Sequence, residues 1–199
     1  MRKYQVKIRL LTETMPGSGM AVPGTIDSDI RHDTYGLPYM NAKTFKGHVR
    51  EQMEFLCTYD SKYDGIDIKS LLGSDDLESV KKNARLKFTK VELSEAVQQT
   101  IRAAVEAGDV TKTEILDALT VTYTRTEIGE KGVAEPHSLR KERELRRGLI
   151  METAIYAEEL SETEEDLLKD TIAAIKHIGM HKSKGKGVVA CSIAQAGQE

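Results

Sequence analysis

Lys3-Tyr4-Gln5-Val6-Lys7-Ile8-Arg9-Leu10 alternates strictly, with Tyr4, Val6, Ile8 and Leu10 on one face and Lys3, Gln5, Lys7 and Arg9 on the other. A period of two predicts a half-buried strand, one face on a core and one in water. Residues 12–38 follow with Pro16, Gly17, Gly19, Pro23, Gly24, Gly36 and Pro38, and read as a long irregular loop. Loops of this length inside a compact domain tend to be functional. Asn41 is placed to cap a helix whose apolar stripe is Phe45, Val49, Met53 and Leu56, with Lys43, Lys46 and Arg50 on another face.

Residues 58–84 are polar and turn-rich, a surface excursion with a short helix expected near residues 77–81, and a second strand fits residues 85–93. Ser94 is placed to cap a helix with Val97, Ile101 and Val105 in line, ending at Gly108. Thr111 and Glu114 form a capping box for the next, with Ile115, Leu116 and Leu119 expected to be buried. Residues 120–126 alternate threonines with Val121, Tyr123 and Arg125, a strand or hairpin arm before a turn at residues 129–132. A basic strand-like stretch leads to a strand at residues 149–157, and Ser161 with Glu164 boxes the last helix, whose stripe is Leu167, Leu168, Ile172 and Ile175. A glycine-lysine loop and a strand at residues 188–193 complete the pattern. With an insertion at about residues 94–147 set aside, the order is βαββαβ, the α+β ferredoxin-like arrangement of RNA-recognition-motif modules.

The length, 199 residues, is that of one domain. At 39% hydrophobic and 31% charged residues the chain has material for a core and is not of disordered composition. No apolar run approaches the ~20 residues of a membrane span, and the N-terminus reads as lacking a secretory pattern. Cys57 and Cys191 stand far apart, which excludes a disulfide scaffold or a cysteine-rich zinc site and makes a reducing cytoplasm the expected setting. The net charge of −3 conceals an uneven distribution. Residues 158–170 hold seven acids against Lys169, a net of −6, so the remainder sums to +3. Residues 41–50 and 176–187 contain no acid at all, and residues 136–148 net +3 from Arg140, Lys141, Arg143, Arg146 and Arg147 against Glu142 and Glu144. Fields decay over about 8 Å at physiological salt, so a remote acidic helix leaves a basic groove basic.

Three motifs fail on spacing. Gly17-Ser18-Gly19 lacks the third glycine of a dinucleotide turn, the residue five after Gly179 is Lys184 rather than a phosphate-loop glycine, and Lys62 and Leu71 occupy ligand positions of a calcium loop begun by Asp60 and Asp64. Two phosphate-binding devices remain. The first helix opens with exposed amides beside Lys43, Thr44 and Lys46. The loop His181-Lys182-Ser183-Lys184-Gly185-Lys186-Gly187 lets backbone approach a polyanion while lysines neutralise it.

Residues 24–33, then Gly36-Leu37-Pro38-Tyr39-Met40, then Lys43-Thr44-Phe45-Lys46-Gly47-His48-Val49-Arg50, resemble the N-terminal signature of the RAMP superfamily of CRISPR effector subunits. Leu72-Gly73-Ser74 before Arg85-Leu86-Lys87-Phe88 matches in order, as do Thr124-Arg125-Thr126 with Gly132-Val133-Ala134-Glu135 and Ser138-Leu139-Arg140, Gly148-Leu149-Ile150-Met151 and the glycine-lysine loop. The likeness is nearest to backbone subunits of type III complexes, with subtype D suggested. One departure is Asn41-Ala42-Lys43-Thr44, where the family usually has proline-glycine-serine-serine.

The resemblance implies a single domain over residues 1–199 whose inserted thumb displaces a nucleotide of the guide–target duplex. It implies binding of CRISPR guide RNA and single-stranded target RNA, assembly with other RAMP, small and large effector subunits, and no membrane. It also implies endonucleolytic cleavage of the target with a divalent metal, expected to be Mg²⁺, at an aspartate whose matching position is Asp27. The expected RNA-binding residues are Lys43, Thr44, Lys46, Arg50, Lys182, Ser183, Lys184 and Lys186. Asp33 matches a family acid expected to fix the loop, and no role passes to Asp29 or His32. A non-catalytic structural subunit of the same complex is one alternative. A metal-independent guide-processing ribonuclease using His32 or His137 is another.

Overall fold

The structure is a computed structural model that describes residues 1–17, 19–22, 24–73, 84–126, 128–129, 132–135 and 137–195. The opening strand, β1 (Arg2–Leu10), lies at the centre of the main sheet. Its alternation is realised: Tyr4, Val6 and Ile8 are fully buried and Leu10 nearly so, while Lys3, Lys7 and Arg9 face water. After β2 (Met20–Val22) and β3 (Ile26–Asp29) comes α1 (Ala42–Tyr59), which buries Phe45, Val49 and Met53 completely, with Leu56 packed at the margin. Each such burial stabilises by about 1.5–3 kcal/mol, so this stripe holds the helix on the sheet.

A single 3₁₀ turn (Ser61–Tyr63) and the short α2 (Ile68–Leu72) lead to β4 (Leu86–Phe88) and β5 (Glu92–Leu93). The one strand expected at residues 85–93 is therefore two. Both pieces pair with β8 (Ile150–Ala157), and the break falls at Thr89, whose hydroxyl accepts the Ala154 N–H at 2.9 Å and meets the Thr153 hydroxyl at 3.0 Å. The helix expected near residues 77–81 lies outside the described residues.

Between β5 and β8 stand α3 (Glu95–Ala107), α4 (Lys112–Leu119), β6 (Thr120–Arg125) and β7 (Arg140–Leu145); after β8 come α5 (Glu162–Ala174) and β9 (Val189–Gln195). In the main sheet β4 and β5 flank β8, β8 flanks β1, and β1 flanks β9, with antiparallel pairing throughout. With α1 and α5 as the crossovers, this is the ferredoxin-like βαββαβ topology. α5 buries Leu167, Leu168 and Ile172 and packs beside α1.

The capping boxes at Thr111–Glu114 and Ser161–Glu164 are both formed. Asn41 and Ser94 occupy the N-cap positions of α1 and α3, but neither side chain bonds the first turn, a correction to the capping expected of them. Nor are Ile115 and Leu119 buried as expected; Leu116 is, and the other two sit at the core margin.

A second sheet runs β2-β3-β7-β6, the β6–β7 pair extending from Thr120↔Leu145 to Arg125↔Arg140 and β3 lying parallel to β7 at Ser28↔Glu142. The long loop after β1 is thus not wholly irregular. It contributes a hairpin turning at Gly24, where φ is +77° and the Thr25 N–H reaches the Val22 carbonyl. Ile-Asp-Ser-Asp carries one apolar residue, so β3 owes its extension to the ladder with β7 and not to a periodic pattern.

Most of the acids of α5 and the segment before it are compensated within the chain. Glu165 pairs with Arg2 and Lys169 at 2.9 and 2.7 Å, Glu164 with Arg85 at 2.7 Å, Glu158 with Lys87 at 3.0 Å, and Asp166 with Lys62 at 3.1 Å.

Candidate nucleic-acid interface

In β3 both ends, Ile26 and Asp29, are buried, whereas the Asp27 side chain is 45% exposed. Asp27 Oδ2 accepts the Lys141 N–H of β7 at 2.7 Å, and Arg140 Nη1 lies 3.8 Å from Oδ1. The carboxylate thus bonds a neighbouring strand and not its own turn. Asp29, 3% exposed, receives Arg143 Nη1 on both oxygens at 3.1 Å and the Ile30 N–H at 2.8 Å, so it serves the packing of β3 on β7. Asp33 Oδ1 accepts the amides of Tyr35 and Leu37 at 2.9 and 3.0 Å, which does fix the loop. His32 turns Nδ1 to the Asp33 carbonyl at 3.0 Å, and His137 is exposed.

Among the described residues no three His, Cys, Asp or Glu side chains converge to hold a metal ion. Mg²⁺ is commonly held by one or two carboxylates together with water and substrate phosphate oxygens. Asp27, with Oδ2 engaged by the Lys141 amide, Oδ1 3.8 Å from Arg140 and the side chain 45% exposed, fits as one ligand of an ion arriving with a phosphate, and the described residues build no metal cage of their own.

The glycine-lysine loop is tied down at both ends. The Gly179 N–H donates to His48 Nε2 at 3.3 Å, Met180 N–H to the Met15 carbonyl at 2.9 Å, and Gly187 N–H to the Glu13 carbonyl at 2.9 Å. Glycine is required at two of these approaches. A Cβ on Gly179 would stand 2.2 Å from the Met15 oxygen, and one on Gly187 2.1 Å from the Ile178 oxygen, both at positive φ. Between these anchors Lys182, Ser183 and Lys184 form one exposed 3₁₀ turn. Lys182 reaches Glu51 at 3.3 Å, while Lys184 has no ion pair among the described residues.

Lys186 differs. Its side chain is 17% exposed, 2.9 Å from Glu144 and 3.5 Å from Glu13, with the ammonium 4.2 Å from the Tyr123 ring centroid. Burial pulls its pKa down, but Glu144, Tyr123 and Glu13 outweigh that and hold it above the ordinary 10.5. Glu144 is fully buried and also takes Arg125 at 2.6 Å; Arg125 bridges to Glu142 at 2.7 Å, and Glu142 meets His181 Nε2 at 3.2 Å. A buried carboxylate persists only when paired in this way. Sequence reading did not single out this network as a unit. Its signal was faint: Tyr123 and Arg125 recur at strand spacing, as do Glu142 and Glu144, and only the register Tyr123↔Glu142 joins the two pairs.

At the entrance of α1, Lys43 is exposed without an ion pair among the described residues, and Thr44 lies half-buried beside it. No acid occupies the first turn. Lys46 and Arg50 instead turn towards the end of α2. Lys46 Nζ donates to the Leu72 carbonyl at 2.9 Å and Arg50 Nη2 to the Gly73 carbonyl at 2.7 Å, satisfying carbonyls that a helix end leaves open.

A ferredoxin-like antiparallel sheet of five strands, with a second sheet inserted between its elements, defines the class of protein. The sequence model of the RAMP superfamily matches residues 7–190, and the chain belongs to that superfamily. Among solved structures, a chain of the type III-B Cmr-beta complex bound to cognate target RNA superposes with TM-score 0.70 at 14% identity, covering 96% of each chain. A chain of a type IV-B CRISPR complex gives 0.62 at 15% identity, over 99% of this chain and 92% of that one. Oligomeric Cmr4 from Pyrococcus furiosus gives 0.55 at 13% identity over the whole of both chains. At these identities the likeness is one of fold. No curated protein matches the chain. No helix among the described residues is long and apolar enough to cross a membrane.

Proposed function

We propose that the chain is a guide-RNA-binding backbone subunit of a type III CRISPR ribonucleoprotein, and that Asp27 serves cleavage of the bound target RNA. The superfamily and the fold shared with subunits of Cmr complexes, one of them bound to cognate target RNA, support the first part. The observation that carries the reading is a convergence at Glu142. Its backbone pairs with Ser28, next to Asp27, and its side chain bonds His181 at the head of the glycine-lysine loop. One strand residue thus ties the carboxylate to the cationic turn, as a site that grips an RNA strand and acts beside it requires.

Lys43, Thr44, Lys182, Ser183 and Lys184 are the RNA-facing groups in this reading. Lys46, Arg50 and Lys186 support the loops that present them. The inserted α3, α4, β6 and β7 act as the thumb within a single domain. The further partners are target RNA, neighbouring RAMP subunits and the small and large effector subunits. Asp27 Oδ1 would hold Mg²⁺ against a target phosphate, where the ion would neutralise charge developing in the transition state. The Lys141 amide keeps the carboxylate oriented, and Arg140 offsets its charge.

The Lys141 bond also favours a second reading, a non-catalytic subunit in which Asp27 only joins β3 to β7. The test is RNA recovery from the purified complex, then target cleavage with and without Mg²⁺ for wild type and Asp27→Asn. Asparagine keeps an oxygen for the Lys141 amide and removes the charge. Retained target binding with loss of the adjacent cut supports catalysis. Unchanged cutting removes the catalytic assignment of Asp27, absence of any cut by the wild-type complex selects the structural subunit, cleavage persisting in EDTA points to acid–base chemistry at His32 or His137, and absence of RNA overturns the whole reading.

A further inference from the structure

We propose that the outer face of α1 carries a base-stacking site for single-stranded RNA, built on Phe55 and Tyr59 and flanked by Lys176 and Lys182. The inference rests on the RNA-binding reading above and adds a place where a base is held, and not only a phosphate.

Of the three phenylalanines, Phe45 is buried and Phe88 packs against the core, whereas Phe55 is 55% exposed. Tyr59, one turn on, is 75% exposed, and the two rings touch with centroids 4.7 Å apart. Scattered exposed apolar residues are ordinary on a protein surface, but two aromatic rings in contact form a platform. Gly47, Glu51, Phe55 and Tyr59 are exposed at successive four-residue steps of α1, a row that winds about 40° around the helix per step, so that each residue neighbours the next. Gly47 keeps that row open, since a Cβ there would meet nothing within 4 Å.

Phe55 also forms one wall of a groove of about 300 Å³. The other wall is the end of α5 with Lys176 and His177, and Lys182 of the glycine-lysine loop contributes to the lining. Glu51, 71% exposed, is the one acid among the described residues lining the groove, and Lys182 stands 3.3 Å from it; Lys176, itself exposed, donates Nζ to the Ala173 carbonyl at 2.9 Å and has no ion pair among the described residues. Protein-contact cores are depleted of lysine and glutamate, whereas aromatic faces beside cations are the means by which proteins hold unpaired nucleotides. The groove adjoins the same Lys182 turn assigned to the RNA backbone, so a strand gripped at that turn passes within reach of the rings.

The chain contains no tryptophan, which makes Phe55→Trp a single fluorescent reporter at the site. The test uses the full chain and a labelled single-stranded oligoribonucleotide, read by anisotropy across a salt series. Phe55→Ala is expected to weaken binding roughly 5- to 150-fold with an unchanged salt slope, because a stack and no phosphate contact is lost. Phe55→Trp should bind within about twofold of wild type, with indole emission quenched as RNA is added. Binding by wild type with Phe55→Ala unaffected, or with the indole emission of Phe55→Trp unmoved, overturns the stacking site and leaves the RNA-binding reading standing. A Phe55→Ala variant that loses self-association in sedimentation but keeps RNA affinity makes the surface a protein contact and overturns it equally. Failure of the wild type to bind any oligonucleotide removes both.

Discussion

Lys184→Ala and Lys186→Ala should behave as opposites, although the residues stand two apart in one basic loop. Lys186 Nζ lies 2.9 Å from the fully buried Glu144 and 3.5 Å from Glu13, and its side chain is 17% exposed. Removing one partner of a buried ion pair costs about 3–5 kcal/mol when nothing replaces it. Arg125 stays 2.6 Å from Glu144, so the expected loss is about 2–3 kcal/mol. At about 2–4 °C per kcal/mol for a chain of this size, the melting temperature falls by about 4–12 °C. Lys184 is exposed and without an ion pair among the described residues, and Lys184→Ala should change stability by less than about 0.5 kcal/mol. Its effect belongs to RNA: weaker binding and a salt slope lower by about 1. The assay is thermal unfolding by circular dichroism beside oligonucleotide affinity measured well below the melting range. If Lys186→Ala melts with the wild type while lowering the salt slope, Lys186 is an RNA-facing cation and the buried network is misassigned.

Burial, with the Lys182 charge second, holds the His48 imidazole below its ordinary 6.5, and its Nε2 accepts the Gly179 amide. The folded chain then binds fewer protons than the unfolded one, so stability present above pH 6.5 declines as pH falls through the lowered value; urea titrations of His48→Gln should lack that limb. Gly179→Ala should destabilise by more than about 2 kcal/mol, combining a positive φ with a Cβ 2.2 Å from the Met15 oxygen. Gly185→Ala, with open space around it, should cost only about 1–2 kcal/mol, and equal losses would argue against the close approach at Gly179. Burial pushes the Cys191 thiol up to about 12, so at pH 8 it should alkylate far more slowly in the folded chain than in urea; equal rates would show an accessible thiolate.

Much of the candidate site was legible because it depends on local chemistry. Asp27, the cations at the entrance of α1 and the glycine-lysine loop stand in short contiguous stretches. What those stretches could not disclose is which cations face out. Lys46, Arg50 and Lys186 read as surface charge because they sit at helical or loop spacing among other basic residues. Their partners are the Leu72 and Gly73 carbonyls and the Glu144 carboxylate, 23 to 42 residues away in the chain.

Local pattern was enough to find the central strand of the main sheet and the two helices packed on it, though not the break that divides residues 85–93 into β4 and β5. Alternation in β1 and the stripes Phe45-Val49-Met53 and Leu167-Leu168-Ile172 name the faces that must leave water, and period and burial are properties of neighbours along the chain. Of the second sheet, local pattern disclosed the strands β6 and β7, but the addition of β2 and β3 and the fate of the charges came only with folding. Ile-Asp-Ser-Asp becomes a strand because β7, more than a hundred residues later, supplies the ladder and the Lys141 amide. Desolvation then makes each buried charge seek a partner brought near by folding, which no local pattern encodes.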